Sequence, residues 1–264
     1  MRVAAGRVAY NLGSPPCSGN GLVWTREELN KAFDERIAML LFDDEGKSGI
    51  EDLIIPGEEE TGFATEALKR ILSDPEVVED WRVGEAIAEV YLADHRDCVF
   101  PWPDSRDERK SGSSLPGADL VGFGMDSAGY CFAFGETKTS SEASYPPSIM
   151  YGRTGLKKQL EDLRDNESIR DDLFKYLGFR SKGASWKSYF EAAGQRYLRN
   201  SSDVMLFGVL VRDVPPNERD LQARIHALAT DCPEGTRVEV LAIYLPDGCV
   251  DSLGTTVLMK RNST

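Results

Sequence analysis

Residues 117–140 read GADLVGFGMDSAGYCFAFGETKTS. Two short apolar or alternating runs bracket Asp126-Ser127-Ala128-Gly129, a pattern that predicts a β-hairpin. Gly129 stands at the last turn position, where a type I turn favours glycine. The midpoint of positions 119 and 136 is 127.5, the centre of that turn. A symmetric register therefore sets Asp119 opposite Glu136, with Cβ atoms about 4.5–5.5 Å apart. Strand parity puts Lys138 on the same face as Glu136. A bulge in either strand would shift this pairing by one residue.

Downstream of the hairpin, helical spacing of apolar residues predicts helices at about 154–165, 168–177 and 184–198. DVMLFGVLV (203–211) is a continuous apolar run of strand length, as expected for a strand covered on both faces. A helix at 217–230 leads to a last strand, VEVLAIYL (238–245), so a parallel crossover is expected. Upstream, Thr25-Arg-Glu-Glu28 forms a capping box for a helix over 26–40. The polar DDEGKSGIED (43–52) reads as a loop, and a second helix covers 62–72. Pro75 suits the first turn of a third helix, 75–93. DSRDERKSGSS (104–114) reads as a mobile charged loop. The order indicates an α/β layered domain with a mixed sheet over 76–264, preceded by a helical or mixed extension or subdomain, 1–75.

With 264 residues and 41% apolar side chains, the chain can bury a sizeable core. No uninterrupted run of about 18 apolar residues predicts a membrane span, and no signal-like apolar run opens the chain. The five cysteines are scattered without a C-x-x-C pair, which points to a reduced, cytoplasmic setting. Cys131 reads as a buried inert thiol, and His95 and His226 as packing or surface residues. The formal charge of −13 argues against nucleic acid, whose phosphates are bound by Lys and Arg. That charge is unevenly placed. Residues 51–100 hold fourteen acidic and four basic side chains, whereas 175–200 hold six basic and one acidic.

Two carboxylates held face to face repel unless a proton or cation lies between them. Oxygen ligands with open positions suit Mg²⁺ or Mn²⁺. Lys138 beside them can steady an attacking water or a phosphate oxygen, the combination that metal-assisted phosphodiester hydrolysis needs. The bland alternative for Glu136 and Lys138 is a surface cross-strand ion pair.

Gly117-Ala118-Asp119, the hairpin and Glu136-Thr137-Lys138 resemble the core motif of the PD-(D/E)xK nuclease superfamily. The motif's Asp follows Gly-Ala here rather than Pro, a variation the superfamily tolerates. The superfamily adds an acid on a preceding helix. On a wheel of 75–93, Glu85 falls inside the apolar arc between Leu92 and Val78, while Glu89, the alternative, falls at its polar edge. More narrowly, VGEAIAEVYL, GADLVGF and FGETKTS are similar to the HamA nuclease subunits of Hachiman anti-phage systems, over roughly residues 80–140 and helix 154–165. The first 75 residues and the C-terminal third carry no motif of that family.

The resemblance implies a restriction-endonuclease-like mixed central sheet flanked by helices. It implies a Mg²⁺-dependent deoxyribonuclease, endo- or exonucleolytic, serving antiviral defence with a HamB-like helicase or ATPase partner. Asp119, Glu136 and the Thr137 carbonyl would bind the metal, with Glu85 completing or tuning the site and Lys138 orienting water.

A second Glu-x-Lys, Glu45-Gly46-Lys47, lies in a polar stretch with no acidic strand before it and reads as solvated. It is not a P-loop either, because the position of the motif's first glycine is Leu41. The basic stretch 175–200 interleaves Tyr176, Phe179, Trp186, Tyr189, Phe190 and Tyr197 with cations, a mix that can stack on bases or pack inward. Arg180 and Lys182, in a glycine-flanked loop, and Lys187 are candidate phosphate contacts. Lys158 and Gln159 on helix 154–165 are further candidates for the cleft. Two other readings remain: a non-catalytic adaptor with an acidic docking surface, or an acidic segment 51–80 that mimics DNA and holds the site shut.

Overall fold

The computed structural model describes residues 2–54, 62–103, 106–107 and 117–263. One mixed sheet of seven strands, in the order β1-β2-β7-β6-β5-β4-β3, forms the middle layer. The strands are β1 (Arg7–Ser14), β2 (Cys17–Val23), β3 (Cys98–Val99), β4 (Leu120–Asp126), β5 (Gly129–Ser140), β6 (Val204–Arg212) and β7 (Arg237–Tyr244). β2, β7, β6 and β5 run parallel, and antiparallel pairs close both edges. The crossover between β6 and β7 is parallel, as the two apolar runs imply.

Helices cover both faces. On one side lie α1 (Arg26–Ala32), a π-helical turn (Phe33–Ile37), α2 (Ala38–Leu41), α5 (Asp80–His95) and α10 (Leu253–Ser263). On the other lie α6 (Leu156–Asp165), α7 (Glu167–Arg180), α8 (Lys187–Arg199) and α9 (Gln222–Ala229). Strand parity divides β5 between these layers, with Ala133 in the first core and Phe132 and Phe134 in the second. Among the described residues, no helix is long and apolar enough to cross a membrane.

Several elements depart from the sequence reading. The first 75 residues do not build a core of their own: β1 and β2 extend the sheet, and Leu22, Trp24, Leu29 and Phe33 share a core with α5. β2 escapes notice because its sequence, CSGNGLV, lacks β-branched character until its end. The close neighbours explain its glycines: a Cβ on Gly19 would lie 2.3 Å from Ile225 Cδ1 and 2.6 Å from the Val240 carbonyl.

Residues 43–52 are not a loop, since α3 spans Asp44–Ile54 and is followed by α4 (Gly62–Ile71). The Asp43 carboxylate accepts the Gly46 N–H at 3.1 Å, satisfying a donor in the first turn of α3. The third helix begins at Asp80 rather than Pro75, because residues 75–79 run without helix against α10. There the Val78 carbonyl packs on Gly254, where a Cβ would lie 1.8 Å away, and Asp80 accepts the Gly254 N–H at 2.8 Å.

The capping box forms as written: Thr25 Oγ1 accepts the Glu28 N–H at 3.2 Å and Glu28 Oε2 accepts the Thr25 N–H at 2.7 Å. Thr25→Ala is expected to cost about 1 kcal/mol, read as a lower urea midpoint at unchanged slope.

Candidate active site

The hairpin has the symmetric register. Pairs run without interruption from Asp126–Gly129 to Leu120–Gly135, which sets Asp119 one step further, beside Glu136. At that point β4 has begun only at Leu120, while β5 continues to Ser140 paired with β6 alone. The exposed edge of β5 is closed by a side chain: Asp119 Oδ2 accepts the Thr137 N–H at 2.8 Å. Because the N–H and C=O of one strand residue point to the same edge, the Thr137 carbonyl also faces the Asp119 side.

Glu136 and Lys138 share the face covered by α6. Glu136 is 1% exposed. It pairs in register with Gly208, over which Leu160 packs so closely that a Cβ there would lie 2.5 Å from Leu160 Cδ1. Lys138 Nζ lies 3.3 Å from Glu136 Oε2 and 3.7 Å from Asp119 Oδ2. One cation therefore serves two carboxylates. It does not fully compensate them: burial first, and then the Asp119 charge, push the Glu136 carboxyl up to about 9 against the pull of Lys138. In the metal-free protein this favours the protonated form of Glu136.

Glu85 and Glu89 lie one helical turn apart on α5, both half-buried. With Arg82, Trp102 and Asp119 they line a cleft of about 80 Å³. The wheel reading that separated the two glutamates is not reproduced, since Val78 lies outside the helix and both carboxylates reach the same cleft. α5 packs on the opposite face of β5 from Glu136. Its Gly84 meets Thr139, whose Oγ1 a Cβ would approach to 1.9 Å. Asp119 thus stands between two acidic groups, on the cleft side with Glu85 and Glu89 and on the strand side with Glu136. Among the described residues, no three acidic, His or Cys side chains converge tightly enough to hold a metal jointly.

The donor set still fits a hard divalent cation in kind. It offers two carboxyl groups that a cation would relieve and a carbonyl on the same edge, and Asp119 also borders the cleft lined by Glu85 and Glu89. Thr137 Oγ1 and Thr139 Oγ1, on the neighbouring face, are buried without partners among the described residues.

The basic candidates are placed less favourably. Arg180 is the last residue of α7 rather than part of a loop, and it is bonded to Asp107 at 2.5 Å with Tyr176 stacked at 3.7 Å. Asp107 also accepts from Trp102 at 3.1 Å and Tyr176 at 2.6 Å. That hub has no signature in the sequence, because its partners lie up to 73 positions apart. Lys158 pairs with Asp162 at 2.6 Å, and Lys187 with Glu191 at 3.4 Å. Lys182 is exposed, 5.9 Å from the Phe179 ring. Gln159 has a buried Oε1 without a partner among the described residues. Trp186 and Tyr197 are buried and Tyr189 and Phe190 pack beside them, so these aromatics serve the core, whereas Phe179 is 70% exposed.

Most of the charged stretch 104–114 lies outside the described residues. Within it, Arg106 grips Asp43 at 2.7 and 2.8 Å. Glu45 and Lys47 belong to α3, where Lys47 pairs with Asp74, and so do not form a second site. All five cysteines are free, with Cys131 buried. His95 hydrogen-bonds the Val3 carbonyl at 2.9 Å, and His226 is exposed.

No family model matches the chain, and no curated protein matches it at a significant level.

Proposed function

We propose that the chain is a Mg²⁺- or Mn²⁺-dependent deoxyribonuclease of the PD-(D/E)xK type. The observation that carries this reading is the convergence of Asp119, buried Glu136 and Lys138 where β5 runs past the start of β4. Asp119, Glu136 and the Thr137 carbonyl would hold the metal, and Lys138 would orient the attacking water or a phosphate oxygen. Glu85 or Glu89 would tune the site through the shared cleft. A bound divalent ion supplies a polarised water and charge for the scissile phosphate. Following the resemblance, the biological role is a cytoplasmic anti-phage effector whose helicase or ATPase partner delivers DNA. The net charge of −13 supports such dependence, since a chain this acidic binds duplex weakly alone.

The test is degradation of DNA with Mg²⁺ and the partner present. Wild type is expected to degrade it in a metal-dependent way, and Glu136→Ala and Lys138→Ala are expected not to. Equal degradation by all three would overturn the mechanism.

A second reading, a non-catalytic adaptor, has one observation in its favour. A groove of about 1060 Å³ between α3 and residues 73–79 is lined by Ile50, Leu53 and Val77 with Glu45, Glu76 and Glu79. Lys47, Arg82 and Arg106 also line it, so its walls suit an amphipathic helix carrying charges of both signs. Mn²⁺ titration separates the two readings: an adaptor shows no affinity that depends on Asp119 and Glu136.

A further inference from the structure

Four arginines are buried among the described residues, and three have obvious partners. Arg212 pairs with Asp220 at 2.7 Å. Arg164 pairs with Asp165 at 2.6 Å and donates to the Leu228 carbonyl at 2.7 Å. Arg170 donates to the carbonyls of Leu163 and Arg164, each at 2.7 Å. Arg224, on α9, is 8% exposed and differs from all of them. Among the described residues, its Nε and Nη2 are buried with no hydrogen-bond partner, and no ion pair to a carboxylate is formed. The guanidinium lies over the Tyr151 ring, 4.3 Å from its centroid, while Tyr151 itself is 55% exposed.

A cation out of water without a counter-charge opposes folding, and stacking on one ring offsets only part of that. An anionic ligand would supply the missing counter-charge. Arginine presents a planar fork that matches two phosphate oxygens, and an exposed aromatic beside it offers a second surface to the same ligand.

The position of Arg224 fits the reaction as well. Tyr151 lies in the connection from β5 to α6, four residues before the N-cap Gly155. It therefore belongs to the segment that leaves the strand carrying Glu136 and Lys138 and leads to the helix over their face. Two further cations, Arg153 near Tyr151 and Arg219 near Arg224 in the chain, are exposed and make no ion pair among the described residues; Glu218 and Asp220 flank Arg219 in sequence.

We propose that Arg224, with Tyr151, forms a phosphate-binding subsite that seats the backbone of the DNA substrate, an inference that rests on the nuclease reading. Arg224 is a binding residue here and takes no part in bond cleavage.

The experiment measures anisotropy of fluorescent single-stranded and duplex oligonucleotides with the full chain in EDTA, so that no cleavage occurs, together with the thermal midpoint. Arg224→Gln is expected to weaken DNA binding at least about tenfold and to lower the salt slope by about one. Its thermal midpoint should stay or rise, because an uncompensated buried charge is gone. Arg224→Lys keeps the charge but loses the fork, and should fall between. Unchanged DNA affinity in Arg224→Gln, or a lowered midpoint rescued by Arg224→Lys with affinity unchanged, would overturn the proposal. An Arg224-dependent response to inorganic phosphate without any to DNA would overturn the assignment to nucleic acid. DNA bound through Arg224 but left uncut with Mg²⁺ and the partner would sink the nuclease reading instead and leave the subsite standing.

Discussion

Glu136→Gln is expected to lower DNA cleavage by at least about 10²-fold while making the metal-free protein more stable at pH 8, not less. The two effects have one origin. Glu136 is 1% exposed and shares its surroundings with Asp119, so its carboxyl is pushed up to about 9 from an ordinary 4.5. A group whose folded pKa is raised contributes stability that is fully present below its unfolded value and is lost as pH rises through the folded value. The window is therefore about pH 4.5 to 9, and each unit within it costs about 1.4 kcal/mol from this one residue. Glutamine keeps the shape and cannot ionise, so the variant should lack that slope. Lys138→Met should have the opposite effect, because removing the cation favours the neutral acid further and extends the loss to higher pH. Urea midpoints at pH 5, 7 and 9 for the three proteins in EDTA check this. Parallel pH profiles for wild type and Glu136→Gln would refute it.

How far this site is legible in the sequence depends on the range of the interaction. Asp119, Glu136 and Lys138 are related by a tight hairpin, and period-two alternation plus one turn suffices to place them. The apolar runs of β6 and β7 are equally plain. What escapes is whatever depends on distant partners. β2 is a strand because Val238–Tyr244 pair beside it, not because CSGNGLV prefers to be one. α3 carried its signal in Ile50, Leu53 and Ile54 at helical spacing, but these side chains are exposed and the acidic residues around them read as a loop. Arg180 looked available to phosphate because Asp107 is remote in sequence. Arg224 carries no signal in the sequence, and only the packing around it shows that its Nε and Nη2 lack, among the described residues, the partners that the other buried arginines have.

The aromatic stretch after residue 175 is where the sequence left two readings level, and Phe132→Ala tests the one the packing favours. Phe132, fully buried on β5, has ring contacts with Phe123, Phe134, Phe174, Phe190 and Tyr197 at 5.5–5.9 Å. It joins the hairpin to α7 and α8 through side chains that a base-stacking surface would need to leave free. Truncation to alanine is expected to cost about 3–5 kcal/mol, a large share of the 5–15 kcal/mol that holds a typical domain. Phe190→Ala should cost less, since Phe190 is half-buried. If these rings stacked on DNA, Phe190→Ala and Tyr189→Ala would lower DNA affinity at little cost in stability. If they are core, the order reverses: urea midpoints fall and anisotropy with DNA stays within about twofold wherever the protein remains folded. Phe132, Phe134, Glu136 and Lys138 alternate along one face of one strand. The aromatic layer is therefore the ground on which the charged pair stands, and loosening it should let water reach Glu136. Its carboxyl should then return toward ordinary values, so a shallower pH–stability slope in Phe132→Ala would tie the core and the site to the same strand.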